Sequence, residues 1–206
     1  KPMVSLDILV NSDVKNFLEC LLEEGVSAAV NLQWVDELTN IKRRYPPIEK
    51  TIKDKGHSSD SLNPYLFVSE IWPLFRDDEI IACADASASV IPFQVAPIKN
   101  GQRIFTNAGS ASMGYELPAA IGAAIANPSK RIICMAGDGS IMLNIQELET
   151  IYRYNLPIKI LLLNNLGYLS IKLSQNGFFG REKGAGISSG LGFPDFKKLA
   201  EANRLP

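Results

Sequence analysis

The sequence predicts an α/β protein built on a parallel sheet that helices cover on both faces, and two observations lead to this expectation. From about residue 64 onward, short and continuously apolar segments alternate with segments of helical character. Strands that are apolar along their whole length are typical of parallel sheets buried on both faces. The expected strands are EIIACAD, RIICMAGD and PIKILLLNN, and the expected helices are PYLFVSEIWPLF, GYELPAAIGAAIA and MLNIQELETIYRY.

The N-terminal segment has a different pattern. VSLDILVNSDVKNFLECLLEEG predicts a short strand and then an amphipathic helix, which Asn11 or Ser12 caps at its start and Gly25 ends. Because one strand and one helix cannot form a core, residues 1–27 are expected to be the tail of a preceding domain.

Charged residues and prolines dominate residues 28–63, which predict a linker. A helix is expected from Trp34 to Arg43, followed by an extended connector. Residues 64–206 are then expected to form the main domain.

Composition and charge limit the classes of function. Apolar residues make up 46% of the 206 residues and charged residues 21%, as in ordinary soluble globular proteins. With 21 basic and 22 acidic residues the chain has no charge surplus for a polyanion, so no nucleic acid partner is expected. The apolar runs are shorter than the roughly 20 residues that span a bilayer, and no secretion signal is present, so we expect no membrane partner and a cytoplasmic location.

Neither the cysteines nor the single histidine predicts a reactive site. Cys20, Cys83 and Cys134 lie far apart without a CxxC pair. Cys83 and Cys134 fall in apolar strand segments, where a free thiol behaves as a small buried apolar group. His57 lies in a polar stretch and is expected at the surface.

Three predicted strands end in turns of small polar residues, ADASAS, GDGS and NNLGY. Because the carboxyl ends of parallel strands meet at one edge of the sheet, Asp138 and Asn165 are expected to be neighbours. Their carboxylate and amide oxygens are ligands that suit Mg²⁺, which commonly completes its octahedron with water and phosphate oxygens.

The residues around Asp138 favour an anion. Gly137 and Gly139 remove side-chain bulk where backbone N–H groups must approach it, and Ser140 begins a predicted helix. Together these features predict a diphosphate bridged by a metal ion. The alternative is a hairpin turn at Asp-Gly, but a helical pattern follows and not a returning strand.

The chain carries GDG, then twenty-four residues, then NN, and this pattern resembles the cofactor-binding motif of thiamine diphosphate enzymes. NAGSASMGYELPAAIGAAIANP is similar to the stretch that precedes this motif in the acetolactate synthase and 2-oxo acid decarboxylase group. The similarity extends from about residue 64 to the last residue, and the N-terminal segment is similar to the end of the group's central domain. The resemblance implies the thiamine diphosphate-binding fold.

The resemblance also assigns roles to residues. Asp138 and Asn165 would bind Mg²⁺ by their side chains and Gly167 by its backbone carbonyl. Met113 would support the bent conformation of the cofactor, and Ala111 would accept a hydrogen bond from the cofactor's 4′-amino group. The implied cofactor-binding set is Ser87, Ser89, Ala111, Met113, Gly137, Asp138, Gly139, Ser140, Asn165, Gly167, Tyr168 and Leu169.

The activity implied by the resemblance is decarboxylation of pyruvate or a similar 2-oxo acid, with transfer of the two-carbon unit to a carbonyl acceptor. In the family, a glutamate on a separate pyrimidine-binding domain, usually from the partner subunit, activates the cofactor. No residue of this chain takes that role, so no catalytic residue is assigned and the chain alone is expected to be inactive. The full-length protein is expected to be a homodimer or homotetramer, and the sequence gives no expectation about FAD.

Two stretches depart from the acetolactate synthase pattern. Where synthases commonly carry Gly-Gln-His after the first strand, this chain has DASASV, and Ser87 or Ser89 is expected to donate a hydrogen bond instead. After NN, a segment with Ser170 and Ser174 replaces Gly-Met-Val and a tryptophan. This predicts a smaller and more polar pocket for a different acceptor, such as an unusual aldehyde or a keto-sugar.

Three other functions stay open: a simple 2-oxo acid decarboxylase, a non-catalytic module that keeps the diphosphate site, and a plain nucleotide-binding Rossmann unit. The last is disfavoured because no GxGxxG motif is present. NGFFGREKGAGISSGLGFPDF is expected to be a mobile loop that folds over the cofactor, the alternative being a surface loop. The domain is expected to be incomplete at its C-terminus, since the family continues through another strand and helix.

Overall fold

The computed structural model of the chain describes residue 5 and residues 7–25, 29–57 and 61–206. The chain divides into two compact units, Lys1–Pro46 and Pro47–Pro206. The second unit begins within the segment predicted as a linker. None of the described helices is both long and apolar enough to span a bilayer.

The described residues of the first unit form two helices, α1 over Val14–Glu23 and α2 over Leu32–Arg44. Asp13 caps α1, so the prediction of Asn11 or Ser12 as the cap is wrong. The predicted strand is also wrong for the described residues before Asp13, which are irregular. A single strand without a partner in the unit has no ladder to join.

The predicted helix from Trp34 to Arg43 is confirmed as part of α2, which Asn31 caps by accepting a hydrogen bond from the backbone N–H of Trp34. The expected extended connector is partly wrong, because helix α3 occupies Lys50–Lys55. His57, predicted at the surface, accepts a hydrogen bond from the backbone N–H of Asn63 and pairs with Glu70 at 3.0 Å.

The second unit contains a sheet of four parallel strands in the order β2-β1-β3-β4, which confirms the predicted parallel sheet. Within it, Cys83 lies opposite Met135, and Gly137 lies opposite Leu163. The short second strand was not predicted. The strands are β1 over Ile80–Cys83, β2 over Arg103–Phe105, β3 over Ile132–Gly137 and β4 over Ile158–Leu163.

Helices flank this sheet. The predicted helix over MLNIQELETIYRY is divided, because a 3₁₀ turn at Met142–Asn144 precedes the α-helical part. The α-helices are α4 over Pro64–Ile71, α5 over Ser87–Val95, α6 over Glu116–Ala126, α7 over Asp138–Ile141, α8 over Glu147–Arg153, α9 over Leu169–Phe179 and α10 over Phe196–Ala202.

The two faces of the sheet form separate apolar cores. Ile132 and Cys134 of β3 pack into one cluster with Leu117 of α6, whereas Ile133 and Met135 pack into another around Trp72. Successive side chains of a strand point to opposite faces, so an apolar residue at every position fills both cores. This is the physical reason for the continuous apolar pattern of the sequence.

Candidate functional site

The carboxyl ends of β1, β3 and β4 meet at one edge of the sheet, and Asp138 joins two of the turns that follow them. Its Oδ2 accepts hydrogen bonds from the backbone N–H groups of Asn165 and Gly167, each at 3.1 Å. Its Oδ1 accepts one from the N–H of Gly139 at 2.7 Å. The expectation that Asp138 and Asn165 are neighbours is therefore confirmed.

Backbone N–H groups hold the carboxylate of Asp138 in place, because its side chain is only 2% exposed and a buried charge needs such donors. Asn165, in contrast, is exposed, and its side chain makes no hydrogen bond within the described part of the chain. Asp138 thus anchors the turn after β4, whereas the amide of Asn165 is available to a ligand.

The donor chemistry of this edge suits a hard cation with few protein ligands. Asp138, Asn165 and the backbone carbonyl of Gly167, the predicted metal ligands, offer oxygen atoms only. Across the described ranges, no group of three or more His, Cys, Asp or Glu side chains is gathered as an alternative centre. A cation here would keep positions for water or phosphate, so the residues present fit the predicted Mg²⁺ and diphosphate.

The two glycines of the GDG turn differ in their surroundings. A Cβ on Gly139 would stand 2.1 Å from Cε1 of Tyr168, and glycine avoids this clash because it has no Cβ. A Cβ on Gly137 would meet Ser140 at an ordinary 3.9 Å. Protein packing therefore disfavours a larger residue at position 139, where the Tyr168 ring would have to shift, and does not disfavour one at position 137.

All the residues of the predicted cofactor-binding set line one or the other of two adjacent cavities. They share Asp85 and Ala86 in the turn after β1. The second cavity, of about 190 Å³, is lined by Ser89 and Ala111. The first, of about 110 Å³, is lined by the other ten predicted residues, Ser87, Met113, Gly137, Asp138, Gly139, Ser140, Asn165, Gly167, Tyr168 and Leu169.

Three of the five described non-glycine residues with positive φ angles lie at this edge of the sheet, and the other two, Asn155 and Arg204, lie elsewhere. Ala86, Ala111 and Leu166 have positive φ angles of 49°, 48° and 58° although none is glycine. Each lies in a turn that borders a cavity or follows β4. Such angles are unfavourable for residues with a side chain and cluster at functional sites, where the surrounding structure maintains them.

A buried hydrogen-bond chain fastens the segment that carries Met113 to the turn after β3. The hydroxyl of Ser140 accepts a hydrogen bond from the backbone N–H of Gly114 at 2.8 Å and donates one to Oε2 of Glu116 at 2.8 Å. Asn144 donates to the carbonyl of Gly114 at 2.7 Å. Two predicted parts of the site, near Met113 and near Ser140, are thereby held at a constant separation.

Glu116 was missed by the sequence prediction. It is 0% exposed, and burial is the main influence that raises the pKa of its carboxyl above the ordinary value. The charge of Asp85 also raises this pKa, against hydrogen bonds that lower it. The available signal was a single charged residue at the start of the apolar run ELPAAIGAAIA.

The glycine-rich segment after α9 is largely exposed, as the alternative of a surface loop expects, and it is hydrogen-bonded to its surroundings. Gln175 accepts from the backbone N–H of Lys183 at 2.8 Å and donates to its carbonyl at 3.1 Å. The N–H of Tyr168 donates to the carbonyl of Ala185 at 2.9 Å, beside the predicted ligand Gly167. The first residues of the predicted loop belong to α9. Movement of the segment over the cofactor stays a prediction.

The departures from the synthase pattern also have defined positions. Ser87 begins α5 and lines the first cavity, and Ser89, two residues later in the same helix, lines the second cavity. Ser170 lines the first cavity, but Ser174 lines neither of the two. The polar residue predicted near the acceptor is thus present at one of the two positions.

Comparison with known proteins decides the family. Residues 86–206 match the family described as thiamine pyrophosphate enzyme, C-terminal TPP binding domain. The chain belongs to this family. Thiamine diphosphate is the cofactor that the family name states, and the alternative of a plain nucleotide-binding Rossmann unit is therefore wrong.

Similar proteins place the chain in the acetolactate synthase group, as the resemblance indicates. It is 30% identical over 194 residues to the acetolactate synthase isozyme 1 large subunit of Escherichia coli strain K12. The matched region covers 94% of this chain and 33% of that protein. Over 97 residues it is 46% identical to the acetolactate synthase large subunit of Pyropia yezoensis, covering 47% of this chain and 16% of that protein. The chain therefore spans a third or less of the length of these relatives.

A solved structure supports the same placement. The thiamine diphosphate-dependent 4-hydroxybenzoylformate decarboxylase of Rhodococcus jostii RHA1 matches with a TM-score of 0.61 and 27% sequence identity. The match covers 71% of this chain and 27% of that protein. The predicted thiamine diphosphate-binding fold is confirmed.

Proposed function

We propose that this chain is the diphosphate-binding part of an enzyme that decarboxylates pyruvate or a similar 2-oxo acid and transfers the two-carbon unit to a carbonyl acceptor. The similarity to acetolactate synthase large subunits supports this reaction class. The observation that carries the proposal is the position of Asp138, whose carboxylate lies beside Asn165 and Gly167 at the ends of adjacent strands.

The residues of the first cavity would hold the cofactor through Mg²⁺. Asp138 and Asn165 would bind the ion by side chain and Gly167 by its carbonyl, while the N–H groups around Gly139 would face the diphosphate. Met113 would support the other end of the cofactor. When bound, thiamine diphosphate supplies a carbon nucleophile that accepts the electrons released as the 2-oxo acid loses carbon dioxide.

The acceptor would be a polar carbonyl compound, such as an aldehyde or a keto-sugar. Ser170 lines the first cavity at the predicted position and supports this choice. We expect the complete polypeptide to carry the activating glutamate on another domain and to work as a homodimer or homotetramer in the cytoplasm. The greater length of the relatives supports the presence of further domains.

A calorimetric titration of the complete polypeptide with thiamine diphosphate, with and without Mg²⁺, tests the cofactor assignment. We expect binding that depends on Mg²⁺ and that Asn165→Ala weakens, because this change removes an exposed ligand oxygen and no internal hydrogen bond. Binding that is equally tight without any divalent ion would contradict the metal assignment.

A second candidate function is simple decarboxylation, which the structural similarity to a decarboxylase favours. Incubation of the complete polypeptide with pyruvate, alone and together with aldehydes, distinguishes transfer from simple decarboxylation. A hydroxyketone product supports transfer, and free aldehyde alone supports simple decarboxylation. Tight cofactor binding without consumption of any 2-oxo acid would instead identify a non-catalytic module.

A further inference from the structure

Glu116 is a buried carboxyl group with one oxygen satisfied and one not. Its Oε2 accepts the hydroxyl hydrogen of Ser140, and its Oε1 is buried without a hydrogen-bond partner among the described residues. A carboxylate oxygen that is removed from water and lacks a donor is unfavourable in the ionised form. On balance the surroundings of Glu116 favour binding of a proton, because burial outweighs the hydrogen bonds from its own backbone and from Ser140.

Charged and titratable neighbours act in the same direction. Asp85, in the turn after β1, places a negative charge near Glu116 and raises its pKa. Cys134 of β3 also interacts with it, and burial followed by the charge of Glu116 raises the pKa of that thiol. Neither group offers a positive charge to stabilise the ionised carboxylate.

Ser140 lines the first cavity, and as long as Glu116 is ionised the Ser140 hydroxyl donates its hydrogen to Oε2 of that carboxylate. A serine hydroxyl has one hydrogen and two acceptor positions. The hydrogen goes to Glu116, and one acceptor position is taken by the N–H of Gly114. If Glu116 carries a proton, its O–H can donate to the second acceptor position and the serine hydrogen is released.

We propose that Glu116 is a positioning residue that takes up a proton when an anion binds at the turn after β3, so that the Ser140 hydroxyl donates to the anion. The carboxylate takes the proton from solvent and becomes a neutral carboxyl, and no other bond is made or broken. This inference rests on the proposed function, because the anion is the diphosphate assigned to residues 137–140.

Proton uptake by Glu116 makes the affinity for the diphosphate depend on pH. The complex binds more protons than the free protein, so raising the pH through the titration of Glu116 weakens binding of the diphosphate. Glu116→Gln removes this dependence, because the amide Nε2 is a permanent donor to the Ser140 oxygen.

The test is calorimetric titration of the complete polypeptide with thiamine diphosphate and Mg²⁺ in two buffers of different ionisation enthalpy. The difference in heat gives the protons taken up on binding. We expect uptake of up to about one proton per cofactor in the unmodified protein. We expect Glu116→Gln to lose this uptake and to bind the cofactor at least as tightly.

Glu79 provides a matched control. It is also fully buried, and its Oε2 has no hydrogen-bond partner in the part of the chain that the structure describes, but it pairs with Arg131 at the opposite end of β1. Glu79→Gln should leave proton uptake unchanged. Should Glu116→Gln fail to fold, Ser140→Ala serves instead, with the uptake lost and binding weakened about tenfold.

The outcomes separate this inference from the proposed function. Cofactor binding without proton uptake, or with the same uptake in Glu116→Gln, overturns the role of Glu116 and leaves the proposed function standing. Failure of the unmodified protein to bind thiamine diphosphate overturns both.

Discussion

The ring of Tyr168 lies against Gly139 so closely that a Cβ atom on the glycine would stand 2.1 Å from ring atom Cε1. The same ring makes an edge-to-face contact with Phe193, with centroids 6.5 Å apart. Tyr168 thus connects the turn after β3 to the segment before α10. Glycine at position 139 is needed by the protein itself, before any cofactor is considered.

Gly139→Ala is expected to lower the free energy of unfolding by about 1–3 kcal/mol, because the added methyl group displaces the Tyr168 ring. Gly137→Ala in the same motif is the matched control, since its Cβ would lie 3.9 Å from Ser140. Urea unfolding of both variants without cofactor measures the difference. Equal losses in the two variants would contradict the packing argument.

Asp138→Asn is expected to destabilise the fold even without metal, by about 1–3 kcal/mol, because an amide cannot accept from all three backbone N–H groups that the carboxylate satisfies. Asn165→Ala should leave the stability nearly unchanged. Thermal unfolding without Mg²⁺ compares the two. An Asp138→Asn variant as stable as the unmodified chain would show that these hydrogen bonds contribute little.

The three thiols of the chain should differ sharply in reactivity. Burial raises the pKa of Cys83 to about 12 and that of Cys134 well above its ordinary value, whereas Cys20 is exposed. Because the thiolate is the reactive form, only Cys20 should react with a coloured disulfide reagent at neutral pH. The other two should react only at the rate of unfolding. Rapid reaction of a Cys20→Ser variant would contradict this.

Stability should depend on pH through Glu116. Its folded-state pKa is raised above the ordinary value of 4.5, chiefly by burial, so the native state holds the proton more tightly than the unfolded chain. The resulting stabilisation is fully present below that value and is lost as the pH rises through the folded-state pKa. Glu116→Gln should lack this loss. Denaturant unfolding of both proteins across the pH range measures it, and parallel profiles would oppose the assignment.

Much of the fold could be predicted because its two central strands, β1 and β3, are buried along nearly their whole length. β3 and β4 have apolar residues at nearly every position, and such segments indicate a central parallel sheet. β2 has only three residues, Arg103–Phe105, and pairing with β1 determines its conformation more than its own composition does. Helix α5 was not predicted, and its first three residues were assigned to the turn ADASAS, because its start is rich in serine and Pro92 lies inside it.

The part of the site that could be predicted is the pair of oxygen ligands, because the residue types and their spacing along the chain have a chemical explanation. The adjacency of Asp138 and Asn165 follows from parallel strands and their carboxyl ends. The role of Asp138 in anchoring backbone N–H groups could not be predicted, because it depends on the conformation of the turn after β4. Glu116 was missed for a similar reason, since its partner Ser140 lies on a different segment.

The sheet order places β3 between β1 and β4, so the GDG turn has a different neighbour on each side. On the side of β4, Asp138 accepts hydrogen bonds from the backbone N–H groups of Asn165 and Gly167. Towards β1, no hydrogen bond among the described residues joins residues 85–89 to the GDG turn. The GDG turn is therefore fastened by hydrogen bonds on its β4 side, whereas on its β1 side the contact between α5 and β3 is apolar packing.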